Sequence, residues 1–135
     1  MCGIAAIFTY RDGAPPVDQE ELLRIRDSMR SRGPDGAGMW IAPNRRIGLA
    51  HRRLAIIDTT ELGLQPMATQ DRMAHVTFNG EIYNYRELRL SLEAKGYAFV
   101  SQSDTEVLLH LYREYGTDMV RQLRGMYAFA IWDEA

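Results

Sequence analysis

The 135-residue chain carries one cysteine, Cys2, and one lysine, Lys95. A single cysteine excludes an intrachain disulfide framework. No apolar run approaches the roughly 20 residues that a membrane-crossing helix needs, so no membrane partner is expected. The opening Met-Cys-Gly-Ile-Ala-Ala-Ile-Phe has no basic region ahead of its apolar stretch. It therefore does not read as a secretory signal, and the expected compartment is the cytoplasm. An excess of one charge is also missing, since 16 basic and 18 acidic residues leave a net charge of -2. A dedicated nucleic-acid binder would be visibly basic. His51, His75, His110 and Cys2 fall at no metal-ligand spacing, so no metal site is expected. Arg32-Gly-Pro-Asp-Gly36 is glycine-rich but lacks the spacing and the lysine of a phosphate-binding loop.

Apolar residues make up 46% of the chain and charged residues 25%, ordinary usage for one globular domain. A chain of this length buries roughly two-thirds of its unfolded surface without staples. Gly3–Tyr10 reads as a buried strand broken by Asp12-Gly13 and Pro15-Pro16. Asp18 and Glu21 open a helix expected over residues 18–31, with Leu22, Ile25 and Met29 on one face. Gly38–Ile41 and Ile47–His51 read as a hairpin about Pro43-Asn44. Ala74–Phe78 reads as a strand ending at the turn pair Asn79-Gly80. A helix from Tyr85 to Gly96 and a strand over Tyr97–Val100 are expected next. Ser103 and Glu106 form a capping box ahead of the stripe Val107, Leu108, Leu111, Tyr112, Tyr115. Asp118–Leu123 suits a short helix and Gly125–Trp132 a final strand. Helices and strands mix without strict alternation, which predicts an α+β fold.

Cys2 is the first candidate for chemistry. Loss of Met1 would leave one residue holding both a thiol, with a reference pKa near 8.5, and an α-amine, near 7.7–8.0. Such an amine can take the thiol proton, as in N-terminal threonine nucleophiles, and no histidine is then required. On composition alone, a small residue buried at the head of a strand is the simpler reading of Cys2. Asn79-Gly80 is by itself a hairpin turn, Asp104 a helix-capping acid, Glu81 an acid beside a turn, and Arg52 a surface side chain.

Seven segments in order change that balance. They are Met1-Cys-Gly-Ile-Ala-Ala-Ile-Phe8, Arg32-Gly-Pro-Asp-Gly36, His51-Arg-Arg-Leu-Ala-Ile-Ile-Asp58, Gln65-Pro-Met67, Phe78-Asn-Gly-Glu-Ile-Tyr-Asn84, Ser103-Asp-Thr-Glu106 and Gly125-Met-Tyr-Ala-Phe-Ala-Ile-Trp-Asp133. Across residues 2–133 the chain resembles the class II glutamine amidotransferases, which are N-terminal-nucleophile hydrolases. Within them it most resembles the glutaminase domain of glutamine-hydrolysing asparagine synthetases of the bacterial type.

The resemblance implies that Cys2 attacks the side-chain amide of L-glutamine. It makes the Asn79 side chain and the Gly80 N–H an oxyanion hole. Arg53 would hold the substrate α-carboxylate, and Glu81 and Asp104 its α-ammonium. Backbone near Ile56 and Ile57 would line the pocket, their side chains being core. The implied fold is a four-layer αββα sandwich whose last strands lie beyond residue 135. An ATP- and Mg-dependent synthetase domain would follow as partner, and the exposed strand edge would favour association, for example as a homodimer. A sugar or peptide carboxylate as ammonia acceptor, or a non-catalytic regulatory module, are the alternatives.

Overall fold

The computed structural model describes residues 1–135. Its first sheet is antiparallel, in the order β1-β3-β2, built from β1 (Gly3–Phe8), β2 (Gly36–Ile41) and β3 (Ile47–Arg53). The β2–β3 hairpin forms as expected, its turn passing through Arg45 at a φ of 56°. Helix α1 (Gln19–Ser28) starts where Asp18 accepts the Glu20 N–H at 2.8 Å. Its Leu22 is fully buried against β3. Gly48 permits this approach, because a Cβ there would sit 2.7 Å from a Leu22 methyl and 3.0 Å from Val17.

The second sheet has the order β4-β5-β6, from β4 (Met67–Ala68), β5 (Ala74–Ile82) and β6 (Gly125–Asp133), again antiparallel. Helices α2 (Tyr85–Ala94) and α3 (Asp104–Tyr115) cover its outer face. Val76, Phe78 and Ile82 of β5 join Val107, Leu108 and Leu111 of α3 in the main core. A 3-10 turn over Gly116–Gln122 leads into β6. The layers are thus α1, sheet, sheet, and α2 with α3, the αββα sandwich expected above. No helix is long and apolar enough to cross a membrane.

Four expectations are corrected. Residues 97–100 form no strand; the N–H at the end of that stretch is taken by a side chain of α3 and joins no ladder. The Glu106 carboxylate reaches back to accept from the N–H groups of Val100 and Ser101, at 2.9 and 2.7 Å. For the same reason Ser103 and Glu106 make no reciprocal capping box: Ser103 caps through the Thr105 N–H alone, at 3.1 Å. β5 does not stop at Asn79-Gly80. It runs on to Ile82, with Asn79 opposite Ala128 and Gly80 opposite Tyr127. Finally, Arg52 is buried, not a surface side chain. It faces α1, donating to the Gly33 carbonyl at 3.0 Å and pairing with Asp27 at 3.6 Å.

Strand alternation decides what faces the space between the sheets. On β3, Gly48, with Arg52 further along, looks toward α1, while Leu49 packs with Trp40 and with Ala130 and Trp132 of β6. His51 and Arg53 share the parity of Leu49. On β5, Val76 and Phe78 face α3, so His75, Thr77, Asn79 and Glu81 face inward. His75 stacks on Trp40 at 3.7 Å between ring centres, and the Thr77 hydroxyl donates to the Ala50 carbonyl at 3.1 Å. The inward residues at the far ends of β3 and β5 therefore come together at one mouth of the sandwich.

Candidate functional site

A cavity of about 260 Å³ opens at that mouth. Cys2, Arg53, Ile56, Ile57, Asn79, Gly80, Glu81 and Asp104 all line it, so the residues singled out from the sequence share one pocket. Met1, His51, Asp58, Gln65, Ser103, Thr105 and Met126 also line its wall.

The β1–β3 register explains why Cys2 is there. Gly3 pairs with Arg52, so continuing the ladder one step brings Cys2 beside Arg53. The Leu54 N–H donates to Cys2 Sγ at 3.3 Å, and the thiol faces the Leu54 carbonyl at 3.6 Å. Arg32 Nε donates to the Cys2 carbonyl at 3.1 Å, fastening the peptide from the other side. Met1 is largely exposed and lies at the cavity edge. While it is attached, the Cys2 nitrogen is an amide and cannot act as a base.

Asn79 and Gly80 sit on β5 of the second sheet and line the same cavity as the cysteine. The Asn79 Oδ1 atom is buried without a hydrogen-bond partner. Gly80 has a φ of 149°, and a Cβ there would lie 2.6 Å from the Tyr127 Cα. Only glycine fits at this point of β5.

Arg53 is only 8% exposed. Its Nη1 donates to the Thr60 carbonyl at 2.7 Å and its Nη2 to the Asp58 carbonyl. A guanidinium carries five N–H donors, so three remain for a ligand. Gly63 packs directly against the same Nη2 atom. The expectation for Ile56 and Ile57 is half corrected: both line the pocket, but Ile56 is 70% exposed and Ile57 half-buried, so neither is a core side chain.

Asp104 opens α3 and is 5% exposed. Burial raises its pKa from 3.8 to about 6, and the Glu81 charge adds to the rise, although its Oδ2 accepts the Ile82 N–H at 3.1 Å. No cation stands beside it to balance its charge. Glu81, on β5, is more exposed. The pocket thus has a cationic wall at Arg53 and an anionic wall at Asp104 and Glu81.

His51, Gln65 and Asp58 lie within the sequence motifs, yet the sequence alone assigns them no role. His51 Nε2 donates to the Phe78 carbonyl at 3.1 Å, and burial lowers its pKa to about 4, so it is neutral. Gln65 ties β5 to α3 behind the anionic wall: its amide donates to Thr105 at 3.1 Å and accepts from the Phe78 N–H at 2.6 Å. Strand parity with Arg53 could have flagged His51; nothing local flags Gln65, whose partners are 13 and 40 residues away. No group of three or more His, Cys, Asp or Glu side chains is placed to hold a metal ion.

A family model described as a glutamine amidotransferase domain matches residues 1–135. The chain belongs to the glutamine amidotransferase family. This amidotransferase domain is 47% identical over 135 residues to the glutamine-hydrolyzing asparagine synthetase 1 of Bacillus subtilis, covering 99% of this chain and 21% of that protein. It is 41% identical over 133 residues to asparagine synthetase 2 of Oryza sativa subsp. japonica, covering 98% of this chain and 22% of that one. It is 38% identical over 142 residues to a protein named amidase chry2 from Gibberella zeae, covering 99% and 21%. The domain therefore spans about a fifth of the length of these relatives. Among solved structures it resembles the glutamine phosphoribosylpyrophosphate amidotransferase of B. subtilis, with a TM-score of 0.68 and 25% identity, covering 80% of this chain and 31% of that one.

Proposed function

We propose that this domain is the glutaminase half of an asparagine synthetase, converting L-glutamine and water to L-glutamate and ammonia. One observation carries the reading: the Cys2 thiol, the half-buried Asn79 amide and opposite charges on opposite walls line a single cavity. Its volume is about 260 Å³. That suits a substrate of ten non-hydrogen atoms.

The chemistry follows from the groups. Removal of Met1 frees the Cys2 amine, which accepts the thiol proton. Arg53 receives the α-carboxylate through its free N–H donors, and Asp104 with Glu81 the α-ammonium, which fixes the side-chain amide over Sγ. Thiolate attack moves charge onto the amide oxygen, where the Asn79 amide and the Gly80 N–H would receive it. Such donors contribute about 10²–10³ in rate. The protonated amine returns its proton to the leaving nitrogen, and ammonia departs. Water, deprotonated by the same amine, then cleaves the γ-glutamyl thioester and restores the thiol.

We further propose that the ammonia amidates an ATP-activated aspartate in a separate Mg-dependent domain. A different acceptor is the second reading, favoured by the 38% identity to a fungal protein named an amidase rather than a synthetase. The test is a coupled assay of glutamate release and product formation in the full-length protein, with glutamine, aspartate, ATP and Mg²⁺. Asparagine formed in step with glutamate supports the first acceptor; glutamate release without asparagine excludes it. Loss of glutamate release in Cys2→Ala is expected, and unchanged release would overturn the glutaminase mechanism.

A further inference from the structure

The pocket recognises two ends of one ligand, and the two recognising groups lie on different layers. Arg53 ends β3 in the first sheet, and Asp104 begins α3 beyond the second. One side chain joins them. Asp58 Oδ1 accepts from the Thr60 N–H at 2.9 Å and from the Thr60 hydroxyl at 2.6 Å. These bonds close the turn whose carbonyls, at Asp58 and Thr60, hold the Arg53 guanidinium. Asp58 Oδ2 accepts the Gln102 N–H at 2.9 Å, across 44 residues of sequence. Gln102 stands between Ser101, whose hydroxyl accepts the Ser103 N–H at 3.2 Å, and Ser103, which caps the helix that begins at Asp104.

Asp58 is 8% exposed, and every acceptor direction it uses serves one wall or the other. Burial opposes its ionisation, yet the bonds from Thr60 and Gln102 and the nearby Arg53 charge outweigh this and hold its pKa below the ordinary value. It is therefore an anion with its place fixed before any ligand arrives. Gly63 leaves no slack behind it, since a Cβ there would meet Asp58 Cβ at 3.2 Å and would also clash with Arg53 Nη2.

We infer that Asp58 is a positioning residue that sets the distance between the carboxylate-binding Arg53 and the ammonium-binding Asp104. It acts through those two groups and through no contact with the reacting atoms. The inference rests on the glutaminase reading, because it concerns the span of an α-amino acid. In Asp58→Asn the side chain keeps one acceptor oxygen and turns an NH₂ toward either Thr60 or Gln102, so one of the two bridges opens. The shape of the side chain is preserved.

The experiment measures kcat and KM for glutamine hydrolysis in the full-length protein, in wild type, Asp58→Asn, Arg53→Lys and the double variant. The expected result is a KM about tenfold higher in Asp58→Asn, with kcat within about threefold of wild type. In the Arg53→Lys background the same change should add less than about twofold, because the partner it positions is already lost. Melting in the absence of glutamine reports folding separately. If Asp58→Asn does not fold, Thr60→Ala opens the same turn and should raise KM about threefold. A variant whose melting temperature falls while KM stays put makes Asp58 a scaffold residue and overturns the inference. A KM effect that multiplies fully with that of Arg53→Lys overturns it too. A wild type that releases no glutamate overturns the glutaminase reading itself, a different result from an active wild type with an indifferent Asp58.

Discussion

Asp104 should make the empty pocket unstable at neutral pH, and Asp104→Asn should expose that cost. Its pKa stands near 6 in the folded protein against 3.8 for the ordinary group. The folded chain therefore holds this proton more tightly than the unfolded chain does. Stability contributed by the protonated form is complete below pH 3.8 and is lost as pH rises through 6. Two units and a fraction, at about 1.4 kcal/mol each, give a loss of about 3 kcal/mol at pH 7.5. Asparagine at 104 carries no charge and retains an oxygen for the Ile82 N–H. The variant should gain about 1–3 kcal/mol at pH 7.5. With an unfolding entropy of about 2.1 cal/mol/K per residue, that is about 4–10 °C in melting temperature for a domain of this size. At pH 4 the gain should fall below about 1 kcal/mol, because wild-type Asp104 is then largely protonated. The same substitution removes the proposed charged partner of the substrate ammonium, worth about 1.5–3 kcal/mol, so the glutamine KM should rise about 10- to 150-fold. Melting curves at pH 4 and 7.5 decide it. No gain at pH 7.5, or an equal gain at both pH values, would refute the claim that Asp104 is an uncompensated buried anion.

Gly80→Ala should abolish glutamate release and weaken the β5–β6 pairing by more than about 2 kcal/mol, since its Cβ would strike Tyr127 backbone at a positive φ; normal activity in this variant would contradict the close approach. His51 works in the opposite sense to Asp104. Burial lowers its pKa from 6.5 to about 4, so stability is complete above pH 6.5 and about 3 kcal/mol is lost as pH falls toward 4. His51→Gln, which can still donate to the Phe78 carbonyl, should lose less stability between pH 7 and 4.5 than wild type, as read by melting. Equal acid loss in both proteins would remove His51 as the cause.

What was legible from the sequence was periodic or local. Leu22 on α1 and the apolar stripe of α3 mark their helices, and Asp18 marks where α1 starts. The pocket residues were legible only as an ordered set, because Asp104 or Arg53 alone has an ordinary structural use. The failures share a cause, which is tertiary context. Asn79-Gly80 carries the chemistry of a turn, yet pairing with Ala128 and Tyr127 keeps it in the strand. Arg52 and Arg53 are adjacent and alike, and only the sheet's two faces separate an arginine buried under α1 from one in the pocket. Glu106 has the spacing of a capping box, but the loop before α3 offers it the nearer donors of Val100 and Ser101. Asp58 and Gln65 are tied to partners up to 44 residues away, a distance no local pattern spans.

The central claim is that Cys2, freed from Met1, forms a covalent γ-glutamyl thioester. The direct measurement is acid quenching of the full-length protein during turnover with L-glutamine, followed by mass mapping of the N-terminal peptide. The account predicts a peptide that begins at Cys2 and carries one γ-glutamyl group on sulfur, absent without glutamine and absent in Cys2→Ala. Steady glutamate release from a protein whose N-terminal peptide still begins at Met1 and never carries the adduct would contradict it.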